Sequence, residues 1–385
     1  MVKPFEKTIG IIGAGQLGKM LIESAAGWNV NYAVLENDAH APAVKKAGIF
    51  IQGKLTDGDK IRELATHCDV MTFEIEHIDA DTLYELEQQG KTVIPSASIL
   101  KIIQNKGSQK QYFIAKNLPT SPFVVINHAS EIDKIESLSP EIQKVVVKSC
   151  RDGYDGKGVS IMNKSDLMNN GLPFEGSCVV EAFVANAREI SIIVARGKNG
   201  ETKVYPATEM VFDPLSNLVD YLFAPAEISP NELKKANEIA IAAIEGFNGV
   251  GIFAVELFLN HAGAWFINEI APRPHNSGHH TIEACYTSQY EQLNRILLGL
   301  PLGDTSLIKP AAMVNLVGSN DFSGNYSITG LDACLTTPGF YLHLYNKSTI
   351  KPDRKMGHFT VLASSAEEAV SKALNLKQHL KFKQE

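Results

Sequence analysis

The chain has 385 residues, of which 44% are hydrophobic and 21% charged, so it is long enough for two or three globular domains. Its formal net charge is −7 and it contains no basic run, which argues against a nucleic-acid-binding protein. No apolar stretch approaches the roughly 20 residues that a membrane-spanning helix needs, so no membrane partner is expected.

Residues 1–105 alternate between strand-like and helix-like segments. The predicted strands read KTIGIIGAG, NYAVLEND, VMTFEIE and KTVIP. The predicted helices read QLGKMLIESAAGW, DGDKIRELATHC, DADTLYELEQQG and SASILKIIQNK. This β-α alternation predicts a doubly wound parallel sheet.

From Lys106 onward the predicted strands follow one another in pairs, which indicates an α+β arrangement. They read KVVVKS, SCVVEAF, EISIIVARG and ETKVYPATEM, and the helix SPNELKKANEIAIAAIEGF leads into GVGIFAVELFLN and AWFINEIAP. Beyond Pro301, the segments AAMVNLVG, FYLHLYN and HFTVLAS are strand-like and AEEAVSKALNL is helical. We therefore predict three domains, over residues 1–105, 106–305 and 306–385.

A glycine turn follows the first predicted strand. Gly13, Gly15 and Gly18 form a GxGxxG pattern, and Glu36 ends the next strand. One interpretation is a dinucleotide site, in which the glycines approach a pyrophosphate and the acid binds a ribose hydroxyl. The alternatives are a structural turn, or a turn that binds a single phosphate at the helix N-terminus.

Two glutamates lie on adjacent apolar strands. With a two-residue turn at Ala262 and Gly263, Glu256 would stand opposite Glu269, and a four-residue turn would still leave both on one face. Because two such carboxylates repel each other, they predict a bound cation, and Mg²⁺ bridging nucleotide phosphates suits oxygen ligands. Asn268 is a further oxygen donor that alternation places on the opposite face. The alternative is two exposed strand acids.

The segment APRPHNSGHH follows these acids and contains three histidines within six residues. The spacing of His275 and His279 suggests zinc, but two prolines and a glycine exclude a regular helix there. We favour a loop that presents Arg273, His275 and Asn276 to an anionic substrate.

Two further segments are candidates for a phosphate contact. Lys347, Arg354 and Lys355 lie in one short stretch near the C-terminus, which is either a solvated loop or a phosphate site. The stretch RDGYDGKGVS, from Arg151 to Ser160, follows the strand that ends at Lys148, and its glycines let backbone approach a phosphate. It lacks the ending of a Walker P-loop.

Together, these features resemble the ATP-grasp superfamily. The segments GAGQLGKM, GYDGKG, NEIAPRPHNSGHH and KPDRKMGH are similar to those of the 5-(carboxyamino)imidazole ribonucleotide synthase family, the ATPase subunit of phosphoribosylaminoimidazole carboxylase. The resemblance implies an ATP-grasp fold with an N-terminal pre-ATP-grasp domain, a lid at about residues 120–185 and a small β-rich C-terminal domain. It also implies a ligase that joins bicarbonate to 5-aminoimidazole ribonucleotide in purine biosynthesis, with ATP converted to ADP and phosphate.

The resemblance assigns the candidate residues to four groups. The ATP contacts are Lys106, Lys148, Gly153, Tyr154, Asp155, Gly156, Lys157, Gly158, Val159, Glu181, Ala182, Phe183, Val184, Glu189, Asn268 and Glu269. The catalytic set around bicarbonate and the amine is Tyr154, Asp155, Lys157, Arg273 and His275. The ribonucleotide contacts are Gln16, Leu17, Asn276, Lys347, Arg354 and Lys355. The ligands of Mg²⁺, or of Mn²⁺, are Glu256 and Glu269.

Two positions depart from the family pattern. Asp152 stands where many relatives have a first loop glycine, and Phe212 stands where a histidine often contacts the nucleotide. The family also implies a homodimer. The five scattered cysteines, without a C-x-x-C pair, and an N-terminus unlike a secretory signal predict a cytoplasmic protein.

Three rival functions remain at this point. A formate- or glycine-using ribonucleotide ligase would share the acid pair and the lysines but not KPDRKMGH. An NAD-dependent oxidoreductase would use the glycine turn, and a nucleotide-binding sensor would have no catalytic residues.

Overall fold

The computed structural model describes residues 3–151, 158–214, 216–319 and 321–385. The N-terminal region forms a five-stranded parallel sheet in the order β3-β2-β1-β4-β5, which confirms the predicted doubly wound architecture. Its strands are β1 Thr8–Ile12, β2 Asn31–Glu36, β3 Ile49–Gln52, β4 Val70–Phe73 and β5 Thr92–Val93. Its helices are α1 Gln16–Ser24, α2 Gly58–Thr66, α3 Ala80–Gln88 and α4 Ala97–Ile103. The sequence prediction missed only the edge strand β3 among these elements.

A second unit follows helix α5, Lys106–Ala115, and consists of a four-stranded antiparallel sheet. Its strands, in the order β6-β9-β7-β8, are β6 Phe123–Ile126, β7 Lys144–Ser149, β8 Val159–Asn163 and β9 Cys178–Ala182, with helix α6 Lys164–Asn170 beside them. This sheet lies within the range expected for the lid.

The next segment contributes most of the largest sheet. Its strands are β10 Arg188–Arg196, β11 Thr202–Val204, β12 Thr208–Phe212, β13 Val219–Ala224, β14 Gly251–Leu259 and β15 Trp265–Ala271. Its helices are α7 Pro230–Gly246, α8 Thr281–Ala284 and α9 Gln289–Leu298. Helix α7 begins at a capping box, in which Ser229 and Glu232 satisfy each other's backbone N–H groups. The segment ETKVYPATEM, predicted as one strand, forms the two strands β11 and β12.

The C-terminal region extends this sheet. Its elements are β16 Ala311–Val317, β17 Tyr326–Thr329, α10 Leu331–Leu335, β18 Phe340–Leu344, β19 Lys355–Leu362, α11 Ala366–His379 and β20 Lys381–Gln384. Strand β16 pairs with β13, so a nine-stranded sheet runs in the order β15-β14-β10-β12-β13-β16-β19-β18, with β11 paired to β10. Thus the sheet crosses the boundary predicted at residue 305. In the described ranges, no helix has the length and apolar character of a bilayer span.

Candidate active site

The hairpin of β14 and β15 places Glu256 directly opposite Glu269. The predicted two-residue turn is wrong, because Asn260 bonds to Ala264 and the register near the turn is one residue lower. A β-bulge at Asn268 restores the predicted pairing of the acids. The extra residue in the bulge also breaks strict alternation, so Asn268 does not point to the opposite face as predicted. Its Nδ2 lies 3.5 Å from Glu256 Oε2.

The two acids experience opposite electrostatic environments. Lys106 Nζ lies 2.5 Å from Glu269 Oε2 and lowers the pKa of Glu269. Burial, followed by the charges of Glu269 and Glu189, raises the pKa of Glu256. His275 Nε2 lies 3.4 Å from Glu256 Oε1. A cation bound beside Glu256 would offset both its burial and the repulsion from Glu269. Binding of the cation would therefore favour the ionised form of Glu256.

The donor set fits a cation that is shared with a ligand. Glu256, Glu269 and the amide oxygen of Asn268 supply hard oxygen donors. The described residues contain no group of three or more His, Cys, Asp or Glu side chains able to hold a metal by themselves. The remaining ligands would therefore come from phosphate oxygens or water.

A buried ion cluster lies beside these acids. Lys148 Nζ donates to Asn268 Oδ1 at 2.7 Å and also contacts Glu181 Oε1. The other oxygen of Glu181 accepts from Lys110 Nζ at 2.5 Å and from Ser121 Oγ at 2.6 Å. Although burial raises it, the pKa of Glu181 stays well below its usual range because of the two lysines. The Glu181 carboxylate is thus committed to protein partners, and Lys110 was missed by the sequence analysis.

These residues border a cavity of about 310 Å³. The predicted ATP contacts that line it are Lys106, Lys148, Val159, Glu181, Ala182, Phe183, Val184, Glu189, Asn268 and Glu269. Burial raises the pKa of Glu189 to about 7. Lining residues that the sequence analysis missed are Ser121, Val146, Ile161, Asn186, Ala187, Asn217 and Phe258.

The remaining predicted ATP contacts stand as follows. Gly158 adjoins Val159, and its carbonyl accepts the N–H of Ser149. Phe212 packs against Met210 and other apolar residues of the large sheet, so its ring belongs to a hydrophobic cluster. The predictions for Asp152, Gly153, Tyr154, Asp155, Gly156 and Lys157 lie outside the described residues.

The loop after β15 contains Arg273, His275 and Asn276, and its first side chain reaches the N-terminal region. Arg273 Nε lies 2.8 Å from Glu76 Oε1, just beyond β4. His275 shares a hydrogen bond between its Nδ1 and Ser277 Oγ at 2.9 Å. Asn276 is buried, and neither polar atom of its amide has a hydrogen-bond partner among the described residues. His275 thus contacts Glu256 of the acid pair, whereas Arg273 pairs with Glu76. That the loop presents these side chains to an anionic substrate stays a prediction.

The histidines of this loop do not support the zinc alternative. His279 and His280 are fully buried, and burial lowers the pKa of both imidazoles, so they are neutral. His279 Nδ1 lies 3.0 Å from the hydroxyl of Tyr290, and its ring stacks near His358. These contacts build a packed core between the loop and β19.

Of the three C-terminal cations, Lys347 and Arg354 precede β19 and Lys355 begins it. Arg354 Nη1 donates to the Thr349 carbonyl at 2.8 Å, and Lys355 is the first residue of the strand. Lys347 Nζ lies 5.7 Å from the centre of the Tyr345 ring. Lys19 on α1 donates to the Leu344 carbonyl at 3.1 Å, so the helix that follows the glycine turn contacts this region.

The glycine turn itself holds a carboxylate of the protein. Glu74, just after β4, accepts from the N–H of Gly18 at 2.6 Å and from the N–H of Gly15. A Cβ at Gly13 would lie 2.5 Å from Glu74 Cγ, and one at Gly15 would lie 2.7 Å from Glu74 Oε1. The glycines are therefore required by the close approach of Glu74.

This contact explains why the dinucleotide interpretation fails on geometry. Two N–H groups that would bind a pyrophosphate already donate to Glu74, and Glu36 Oε2 accepts from Ala14 N at 3.1 Å. Gln16 and Leu17 begin α1, where N–H groups have no acceptor within the helix. They remain candidates for a phosphate contact.

Comparisons with known proteins agree with this geometry along nearly the whole chain. Residues 6–104 match the ribonucleotide synthetase preATP-grasp domain, residues 111–290 the ATP-grasp domain and residues 311–372 the phosphoribosylaminoimidazole carboxylase C-terminal domain. The N5-carboxyaminoimidazole ribonucleotide synthase of Bacillus subtilis is 35% identical over 370 residues, covering 95% of this chain and 94% of that protein. The chain belongs to the N5-carboxyaminoimidazole ribonucleotide synthase family. The resemblance drawn from the motifs is thereby confirmed.

Solved structures of this family share the fold. The synthetase from Thermotoga maritima has a TM-score of 0.89 and 39% identity, covering 98% of this chain and 100% of that chain. The Aspergillus clavatus enzyme, solved with ADP and 5-aminoimidazole ribonucleotide, has a TM-score of 0.87 and 31% identity, covering 97% of this chain and 98% of that chain. The chloroplastic phosphoribosylaminoimidazole carboxylase of Vigna aconitifolia is 35% identical, and this chain spans 65% of its length. The predicted ATP-grasp fold is confirmed.

Proposed function

We propose that this chain carboxylates 5-aminoimidazole ribonucleotide with bicarbonate, and that ATP is converted to ADP and phosphate. The observation that carries the proposal is that Glu269, which pairs with Glu256 across the hairpin, lines one cavity with Lys106 and Lys148. The full-length similarity to the Bacillus synthase supports this activity. About a third of the longer plant relative lies outside the match, and we assign no activity of that additional part to this chain.

ATP would occupy the cavity between the lid sheet and the large sheet. Residues 181–184 line one side of it and supply backbone groups for adenine, while Glu189 is placed for the ribose. Lys106 and Lys148 would contact the phosphates. Relatives solved in complex with ADP or ATP support nucleotide binding by this chain.

Glu256 and Glu269, assisted by Asn268, would hold Mg²⁺ or Mn²⁺. The ion, when bound, neutralises charge on the phosphates during phosphoryl transfer. The protein holds its oxygen ligands on two paired strands, so their spacing is fixed by the hairpin.

The reaction implied by the family begins when a bicarbonate oxygen attacks the γ-phosphorus of ATP and ADP leaves. The exocyclic amine of the ribonucleotide then attacks the carbon of carboxyphosphate, or the CO₂ it yields, and phosphate leaves. Arg273 and His275 would orient the anion and the amine, and His275 or Asp155 would accept the amine proton. The resemblance assigns Tyr154, Asp155 and Lys157, which lie outside the described residues, to the same reaction.

The ribonucleotide phosphate would lie between α1 and β19. Lys347, Arg354 and Lys355 supply positive charge, and Gln16 and Leu17 offer N–H groups at the start of α1. The hydrogen bond from Lys19 to the Leu344 carbonyl joins α1 to β18, the strand that pairs with β19. Asn276 would complete the contacts to the same substrate.

Replacing Arg354 by Gln is expected to raise the KM for 5-aminoimidazole ribonucleotide by about tenfold to a hundredfold, because a charge-assisted phosphate contact is lost. The KM for ATP should change little, since Arg354 lies outside the ATP cavity. Steady-state ADP release with each substrate varied separately measures both constants. An equal rise in both constants would contradict this assignment.

A panel of acceptors tests the function itself. We expect ADP release only when bicarbonate and 5-aminoimidazole ribonucleotide are both present, and none with formate or glycine paired with a ribonucleotide amine. ADP release with those substrates instead would favour the rival ligase. NADH binding without ATP turnover would favour an oxidoreductase. The homodimer remains a prediction of the resemblance, and the cytoplasmic location remains a prediction from the cysteines and the N-terminus.

A further inference from the structure

Lys110 lies on α5 behind the ATP cavity and is almost completely buried, with 3% of its surface exposed. Its Nζ contacts Thr120 Oγ1 at 2.7 Å, Ser121 Oγ at 3.3 Å and Glu181 Oε2 at 2.5 Å. An ammonium group has three N–H donors, and these three acceptors use all of them. Lys110 therefore has no donor left for a ligand.

Lys148 differs from Lys110 in this respect. Its Nζ has two partners among the described residues, Glu181 Oε1 and Asn268 Oδ1, and it lines the cavity. The two lysines thus share one carboxylate, which is itself 3% exposed. The cluster of Lys110, Glu181 and Lys148 carries a net charge of +1.

We propose that Lys110 is a positioning residue that neutralises Glu181, so that the positive charge of Lys148 is available to the phosphates of ATP. This role deepens the proposed function and rests on it, because it concerns the same nucleotide cavity. Without Lys110, the Glu181 carboxylate would have Lys148 as its main counterion, and that pair would be neutral.

The other lysine at this site cannot replace the missing charge. Lys106 Nζ is paired with a different carboxylate, Glu269 Oε2, at 2.5 Å. Burial lowers the pKa of Lys110 to about 8, against the attraction of Glu181, so Lys110 is still largely protonated at neutral pH. Its charge is therefore present when ATP binds.

The test compares three variants with the parent protein by calorimetric titration of Mg-ATP. Lys110→Met removes the charge and makes the cluster neutral, so we expect the Kd for ATP to rise about tenfold or more. Lys110→Met with Glu181→Gln restores a net charge of +1, and the amide oxygen introduced by the second substitution can still accept from Lys148. The double variant should bind ATP within about threefold of the parent. Lys116→Met, an exposed change on the same helix region, is the control.

Recovery of ATP affinity in the double variant distinguishes an effect of the Lys110 charge from an effect of its packing. If Lys110 only filled space, the double variant would bind ATP no better than Lys110→Met, and that result would overturn the proposal. Unchanged affinity in Lys110→Met would also overturn it. If Lys110→Met does not fold, as judged by circular dichroism, the affinity of the double variant decides alone. The Kd for ATP is measured without turnover. If the protein binds ATP but fails the acceptor panel, the proposed function is wrong, while the test of Lys110 remains valid.

Discussion

Replacing Glu256 by Gln is expected to lower ATP turnover by about 10³-fold, because the variant loses one of the two carboxylates that we propose as ligands for the metal. Glu256 and Glu269 stand directly opposite each other, and the described residues contain no larger acidic group to replace them. ADP release measured over a range of Mg²⁺ concentrations should reach half of its maximum at a higher Mg²⁺ concentration in the variant than in the parent.

The same change should stabilise the protein in metal-free buffer at neutral to alkaline pH. Burial and Glu269 raise the pKa of Glu256. The folded chain therefore keeps a proton that the unfolded chain releases, and stability falls as pH rises from the ordinary carboxyl range to the raised pKa. Gln resembles the protonated carboxyl and does not titrate, so its thermal midpoint should exceed that of the parent above this window. Glu245→Gln, on the exposed face of α7, is the control; full turnover in Glu256→Gln would refute the metal assignment.

Replacing Lys148 by Met is expected to lower kcat/KM for ATP by about 10²- to 10³-fold, because a buried cation that faces the phosphates is removed. Lys148 is the cavity-lining member of the cluster with Glu181 and Lys110. The variant leaves Glu181 paired with Lys110, so its free energy of unfolding should change little while kcat/KM for ATP falls. Initial rates with varied ATP, together with urea unfolding, measure both quantities.

The matched control for this variant is Lys134→Met, which removes an exposed lysine from the same lid region. It should leave kcat/KM for ATP within about twofold of the parent, as expected for a surface ion pair. If both variants lose activity equally, or if Lys148→Met retains it, Lys148 does not contact the nucleotide.

The features predicted correctly are those that depend on the pattern of neighbouring residues along the chain. The β-α alternation of residues 1–105 and the two apolar strands around Glu256 and Glu269 follow from local periodicity. The turn of that hairpin and the bulge at Asn268 each shift the register by one residue, in opposite senses. Alternation alone cannot reveal either irregularity, so the orientation of Asn268 was predicted wrongly while the acid pairing was right.

The contacts that the sequence analysis missed join elements far apart in the chain. Glu74 follows β4 and reaches the glycine turn 56 to 59 residues earlier, and its only sequence signal is an acid at the carboxyl end of a predicted strand. Lys110 is one of two lysines on α5, and its burial depends on β9 and on Ser121. Such roles arise from tertiary packing, which periodicity and motif spacing do not encode.

In the proposed reaction, ATP activates bicarbonate for transfer to 5-aminoimidazole ribonucleotide. Turnover with ¹⁸O-labelled bicarbonate, followed by mass analysis of the released phosphate, tests it most directly. We predict one ¹⁸O atom in each phosphate, in amounts equal to the ADP formed, because the attacking bicarbonate oxygen stays on phosphorus when the amine displaces it. Unlabelled phosphate, or ADP formed at the same rate without bicarbonate, would contradict the account.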